Sequence, residues 1–264
     1  SGKSKTFFVS LIRAILNNSS CLVYDPKGEL FAQTAGAAKT IYRLDLNDPT
    51  KSDRWNFIPK CRNDPAFACQ LAGMMIGIES RRRTNADPFW GDAEQIALTA
   101  ILLHIAEVYR EKAIPAFAAD FLLFLSGDSD QAFNEAMTNS PSLYAKQAYM
   151  AFRQAPVQTR GSILIGLYNK LRPFTLAPAR MVTVAPTRDE EISGCRSINF
   201  ADLRKPGTAI YLIVSEGAAD MYKEFIATFI GQAVMEMRLD GVNEPEHPCF
   251  VLIDEAYQLN VSEV

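Results

Sequence analysis

Two short stretches carry residue types suited to nucleotide chemistry. Gly2, Lys3 and Ser4, within SGKSKTFF, match the second half of a phosphate-binding loop, G-x-x-x-x-G-K-[ST]. Such a loop opens a helix, where backbone N–H groups and the positive end of the helix dipole attract phosphates. Lys3 would reach the β- and γ-phosphates of ATP, and Ser4 would bind Mg2+. The second stretch is FVLIDEA, whose four apolar residues, Phe250 to Ile253, predict a buried strand. Asp254 and Glu255 follow it, at the strand end where open α/β sheets bind their ligands. There Asp254 would hold the hydration shell of Mg2+ while Glu255 polarises the attacking water. Each stretch alone has a plain competing reading. A Gly-Lys-Ser/Thr triplet arises by chance in roughly one chain of this length in eight. The acids would otherwise be two solvated side chains at a strand exit.

The elements that must position these groups begin as an alternation. Phe7, Phe8, Leu11, Ile12, Ile15 and Leu16 recur at helical spacing and predict one buried stripe behind Ser4. Asn17 to Ser20 stop that helix. CLVY (Cys21 to Tyr24) then reads as a strand buried on both faces, ending on Asp25. Pro26 and Gly28 set a turn; a short helix near Leu30 to Ala38 and a strand at Ile41 to Asp45 follow. Helix-strand-helix-strand order predicts a parallel α/β sheet. From about Pro65 to Ala177 the periodicity is helical, with polar or proline-bearing breaks and no convincing strand. TAIYLIV (Thr208 to Val214) returns as a strand, SEGAADMYKEFIATFIGQAVMEMRL as a helix, and CFVLIDEA as a last strand. The expected division is an α/β domain at 1–60 and 181–264, interrupted by an all-α domain at 61–180. That insertion also accounts for the separation of about 250 residues between Lys3 and Asp254.

Composition narrows the classes. Hydrophobic residues make up 48% of 264 and charged residues 22%, an ordinary globular balance that excludes disorder. A formal net charge of −3 excludes a generally basic nucleic-acid binder, so any DNA contact would be local. Five scattered cysteines without a C-x-x-C pair fit a reducing setting rather than a disulfide frame or zinc site. Ile96 to Tyr109, the longest apolar stretch, is too short for a membrane helix and contains His104 and Glu107. These two lie three apart on a helix, but two histidines in the chain make a poor metal set, and packing is the expected role. Trp90 is expected to anchor the helical core rather than stack on a base. Arg81 to Arg83 would be a solvated loop or a contact to phosphates or a partner.

At LVYDPKGELFAQTA (Leu22 to Ala35) the chain resembles the TraG/VirD-type coupling proteins of type IV secretion and conjugation. WNFIP (Trp55 to Pro59), FWGDAEQIALTAILLHI, INFADLRKPGTAIYLIVSE and VLIDEAYQL resemble further family segments in order, the last its Walker B element. The resemblance covers nearly the whole chain. It implies a RecA-like P-loop NTPase sheet carrying an all-α domain, with ATP and Mg2+ as cofactors. It further implies a hexameric ring on the cytoplasmic face of the bacterial inner membrane, held there by segments absent from this chain. Such rings take DNA with its relaxase, or effector proteins, and feed them to the type IV secretion channel at the expense of ATP.

Residue by residue, the resemblance gives Lys3 and Ser4 the Walker A roles and Asp254 and Glu255 the Walker B roles. Asp25 would face the nucleotide crevice; Lys27 and Glu29 would serve the site or subunit contacts. The first half of Walker A, its strand, and the family's elements beyond Val264 are not in the chain. The chain is therefore expected to be a fragment, inactive and a poor nucleotide binder in isolation. Two alternatives stand beside this reading: another hexameric DNA-translocating ATPase, and a docking module that does not hydrolyse nucleotide.

Overall fold

A computed structural model describes residues 2–77, 88–125, 130–238 and 247–254. The chain opens with helix α1 (Gly2–Asn18), strand β1 (Ser20–Tyr24), helix α2 (Glu29–Thr34) and strand β2 (Thr40–Asp45). It then passes through helices α3 (Pro65–Met75), α4 (Pro88–Glu111), α5 (Asp120–Leu125), α6 (Asp130–Thr138), α7 (Leu143–Phe152), α8 (Val157–Leu171) and α9 (Ala177–Val182). Last come helix α10 (Arg188–Ile192), strand β3 (Thr208–Ile213), helices α11 (Glu216–Ala219) and α12 (Lys223–Arg238), and strand β4 (Cys249–Ile253). Among the described residues, those up to Trp55 and those from Pro186 to Asp254 form one compact unit; those within Asn56–Ala185 form a second.

In the first unit the four strands are all parallel, in the order β2-β3-β1-β4. Every residue of β1 and β3 is buried, as their unbroken apolar runs require of central strands. One face of the sheet is covered by α1, through Val9, Ile12, Ile15 and Leu16 packed on Cys21, Val23, Ala209 and Tyr211. Phe7, predicted to join this stripe, is 64% exposed, and Val9 takes its place. Alternation along β1 turns Ser20, Leu22 and Tyr24 to the other face. There the turn Phe200–Arg204 packs on β1 and β3, and α12 packs on that turn. Trp55 sits between Phe225 and Phe229, edge to face with both at 5.1 and 5.0 Å, and its indole N–H donates to Gln232 at 2.9 Å.

Two expectations need correction here. Phe250 to Ile253 do form a strand, but β4 pairs only with β1 among the described residues, and Phe250 and Val251 are 40% and 38% exposed. An apolar run predicts a strand; it does not say how many neighbours the strand has. The helix expected after β3 is also two helices, broken at Asp220 to Tyr222.

No strand occurs among the described residues of the second unit. α4 is its axis: Ala97 to Glu107 are buried without interruption, and α3, α7 and α8 pack against it. Asp64 and Ser142 cap α3 and α7, accepting from the N–H groups of Phe67 and Ala145. His104 is buried and its Nδ1 lies 2.8 Å from the Ser140 hydroxyl, so it packs as predicted. Trp90 does not anchor this core. It is 42% exposed at the start of α4, edge to face with Phe89, itself 49% exposed. Arg81 to Arg83 lie outside the described residues.

Candidate functional site

The carboxyl ends of the strands form one rim, and the sequence assembles it locally. β1 runs into Asp25, whose backbone N–H donates to Leu212 and so extends the pairing with β3. Pro26 to Gly28 then turn the chain, with Gly28 at φ +69, a left-handed conformation that favours glycine. The Asp25 carboxylate is 1% exposed and accepts from the N–H of Phe31 at 2.8 Å, with further help from Leu30 and Glu29. An anionic cap thus meets the positive end of α2. Burial pushes the Asp25 carboxyl above the usual carboxylate range; the Phe31 N–H opposes this, and the nearby Asp254 charge adds to it.

Asp254 arrives at the same rim from the neighbouring strand. Tyr24 pairs with Ile253, and the Asp254 N–H donates to the Tyr24 carbonyl at 3.2 Å. Two carboxylates from adjacent strand ends therefore share one place and repel each other. Two predicted site residues, far apart in sequence, are brought together this way. Gly2, Lys3 and Ser4 begin α1, but their side chains lie outside the described residues, as does Glu255. The path of α1 is still informative. Only Ser19 separates it from β1, so it runs back along the strand it covers. Its 17 residues span about 25 Å and the strand's five about 17 Å, which carries the first turn of α1 past the carboxyl end of the sheet.

Two further rim residues, Asn47 and Ser215, were not singled out from the sequence, whereas Lys27 was. The Asn47 side-chain oxygen accepts from the Ser215 N–H at 2.9 Å, and its amide donates to the Pro26 carbonyl at 3.5 Å. Lys27 pairs with Glu216 at 2.7 Å on the surface. The loops after β1, β2 and β3 are thereby laced together. The available signal was positional: each of these residues stands within a few places of the end of an apolar strand run. A cleft of about 530 Å³ elsewhere on this unit is lined by Thr50 to Arg54 and by Asp189, Glu190 and Ser193 to Cys195. None of the predicted site residues lines it. Its largest buried charge, Arg54, pairs with Glu190 and donates to the Ser52 carbonyl at 2.7 Å, which accounts for it as a loop clamp.

In strand order the chain steps from β1 across β3 to β2, and later from β3 across β1 to β4. The connections leave these central strands in opposite directions, which opens a crevice at their carboxyl ends. The solved structures this chain resembles have the same fold. The bacterial conjugative coupling protein TrwBdeltaN70, in a trigonal form with sulphate, matches at a TM-score of 0.67 and 13% identity, over 98% of this chain and 55% of that one. The plasmid coupling protein TrwB matches in complex with the non-hydrolysable ATP analogue ADPNP (TM-score 0.56, 12% identity) and with ADP and Mg2+ (0.55, 11%). Both cover 93% of this chain and 58% of the other. The chain thus spans little more than half the length of these structures. No curated protein sequence matches it significantly.

The architecture is accordingly the RecA-like P-loop NTPase sheet, with an all-helical unit between β2 and β3. The sequence profile for type IV secretory system conjugative DNA transfer matches residues 1–260, and the chain belongs to that family.

Proposed function

We propose that this chain is the motor portion of a conjugative coupling ATPase, which binds ATP with Mg2+ and uses its turnover to pass DNA or protein to a type IV secretion channel. The observation that carries the reading is the pair Asp25 and Asp254 at the carboxyl ends of adjacent parallel strands, beside the start of a helix that opens Gly-Lys-Ser. Mg2+ fits this place on chemical grounds. It prefers hard oxygen ligands, and a cation would offset the burial and the Asp254 repulsion that together raise the Asp25 carboxyl. Asp254 and Ser4 would hold the ion through oxygen, Gly2 and Lys3 would bind the phosphates, and Glu255 would orient water. Bound Mg2+ supplies charge neutralisation at the β- and γ-phosphates. Asp25 is already committed to the α2 cap, so its part is to fix the floor of the crevice and add negative charge. The TrwB structures with ADPNP and with ADP and Mg2+ support this choice of nucleotide and ion.

For the intact protein we further propose a ring of identical subunits, hexameric as in the family's motors, anchored at the inner membrane and receiving a relaxase–DNA complex or effector. No helix among the described residues is long and apolar enough to cross a membrane, so an anchor would come from other segments. The test is ATP turnover of the full-length protein. Lys3→Ala and Glu255→Gln should each lower it by about 10²–10⁴-fold, with the fold retained. Turnover should also rise with added DNA and with protein concentration as subunits complete one another's sites. Unchanged turnover in either variant removes that residue from the site, and a concentration-independent rate removes the ring. Nucleotide binding without any turnover would instead favour a docking module.

A further inference from the structure

The second unit presents a surface of unusual composition. From Ala136 to Thr187 the sequence contains no aspartate or glutamate, although acids make up 30 of the 264 residues of a chain with net charge −3. The same stretch carries Lys146, Arg153, Arg160, Lys170, Arg172 and Arg180. It spans α7, α8 and α9, all within one unit. Lys170 is spoken for by the buried Glu94 of α4; Arg153, Arg172 and Arg180 are exposed.

Within this basic stretch α8 shows two apolar faces. Ile163, Leu167 and Leu171, four apart, are fully buried toward the helical core. Val157, Ile165 and Tyr168 are 65%, 66% and 46% exposed, and with Gly161 and Arg172 they follow the spacing of a single line along the helix. At about 100° per residue that line lies roughly 120° from the core seam. It runs about 22 Å from Val157 to Arg172, the length of a helix of about 15 residues. Leu143 and Met150 of α7 and Met181 of α9 are exposed in the same acid-free stretch. A largely apolar line of this kind has nothing to gain from water, and the stretch of chain that carries it holds cations and no acid.

We infer that the outer line of α8 is a docking surface for an amphipathic helix of a partner protein, whose apolar stripe is flanked by aspartate and glutamate. Charge complementarity selects the acidic flanks. The line offers Val157 and Ile165 for aliphatic burial beside a single aromatic, Tyr168, and a single guanidinium, Arg172, which favours a peptide, because a nucleic-acid strand stacks successive bases on several such planes and needs a denser set of cations. Helix-on-helix recognition reads anchors at i, i+3 or i+4 and i+7, the spacing that this line provides. The inference concerns the helical unit and stands whether or not the α/β unit turns over nucleotide.

The test uses the chain itself with labelled probes in fluorescence anisotropy. The first is a designed amphipathic helix with leucine at i and i+3/i+4 positions and glutamate elsewhere. The second has glutamine for each glutamate, and the third is a single-stranded oligonucleotide of mixed sequence. The acidic peptide should bind at least tenfold more tightly than the glutamine peptide and lose affinity as salt rises. Ile165→Glu and Arg172→Glu should each weaken it at least tenfold with the circular dichroism melt unchanged, while Ile192→Glu, exposed on the other unit, should leave it unaltered. Equal binding of the two peptides, or indifference to Ile165→Glu, overturns the proposal. So does tighter binding of the oligonucleotide that Arg172→Glu abolishes, which would make the face a nucleic-acid contact. Self-association of the chain that Ile165→Glu disperses would give the face to a second copy and overturn it equally.

Discussion

The two units bury polar groups for opposite ends. In the helical unit three polar pairs satisfy one another, His104 with Ser140, Glu94 with Lys170, and Tyr109 with Asp120, although one carboxylate oxygen of the buried Glu107 has no partner. In the α/β unit Asp25 and Asp254 are gathered at adjacent strand ends, where burial raises the Asp25 carboxyl and the like charge of Asp254 adds to it. Paired groups mark a scaffold; a tension between acids marks a place that a cation would relieve. Only the second arrangement asks for a ligand.

That contrast can be broken most forcefully at Trp55. Trp55→Ala removes the indole between Phe225 and Phe229 and takes the donor from the Gln232 side-chain oxygen, and should cost about 3–5 kcal/mol. Hydrogen exchange should show the loss in β1 and β3, with α4 keeping its protection. Equal loss in both units would dissolve the division between them.

Acidification should sharpen the contrast, because the two units respond with opposite signs. Burial, aided by Lys112, lowers the His104 pKa from 6.5 to about 4. The unfolded chain then takes up the proton first, so stability present above pH 6.5 is lost as pH falls toward 4, by about 3 kcal/mol in all. Asp25 is raised above its usual 3.8, so the native state takes up the proton first. Its contribution therefore grows as pH falls through the raised value, and Asp25→Asn should flatten that part of the α/β unit's profile. His104→Gln should flatten the helical unit's loss, measured by pH-dependent exchange. A shared profile in both units would contradict the assignment.

Glycine substitutions give the smallest effects, again with opposite signs. Gly207, at φ +82 before β3, has Lys39 side-chain carbons 2.9 Å from where a Cβ would stand. Gly207→Ala should destabilise by about 1–2 kcal/mol. Gly161 lies inside α8 with open space around it, and Gly161→Ala should stabilise by about 0.5–1 kcal/mol. Thermal melts of the two variants should move in opposite directions.

Much of this was legible in order along the chain. CLVY and TAIYLIV announced central strands because a strand buried on both faces must be apolar throughout, and both are. The D-P-K-G turn placed Asp25 at a strand end, and helical periodicity separated the two textures of chain. What stayed hidden depends on neighbours. Phe250 and Val251 read like the other strand residues, yet lie partly open, with β1 the only strand beside β4 among the described residues. Trp90 reads like a core anchor, yet it stays 42% exposed at the start of α4, because burial depends on which elements fold against a residue and not on its type.

The sequence by itself determined the strands, the helical stretch between them and the acids that end each run, since these follow from local periodicity and residue type. Tertiary structure alone decided that β1 and β4 are partners, and hence that Asp25 and Asp254 meet although 229 positions separate them. Strand order is a long-range choice, made by which apolar faces pack together, and no local pattern encodes it.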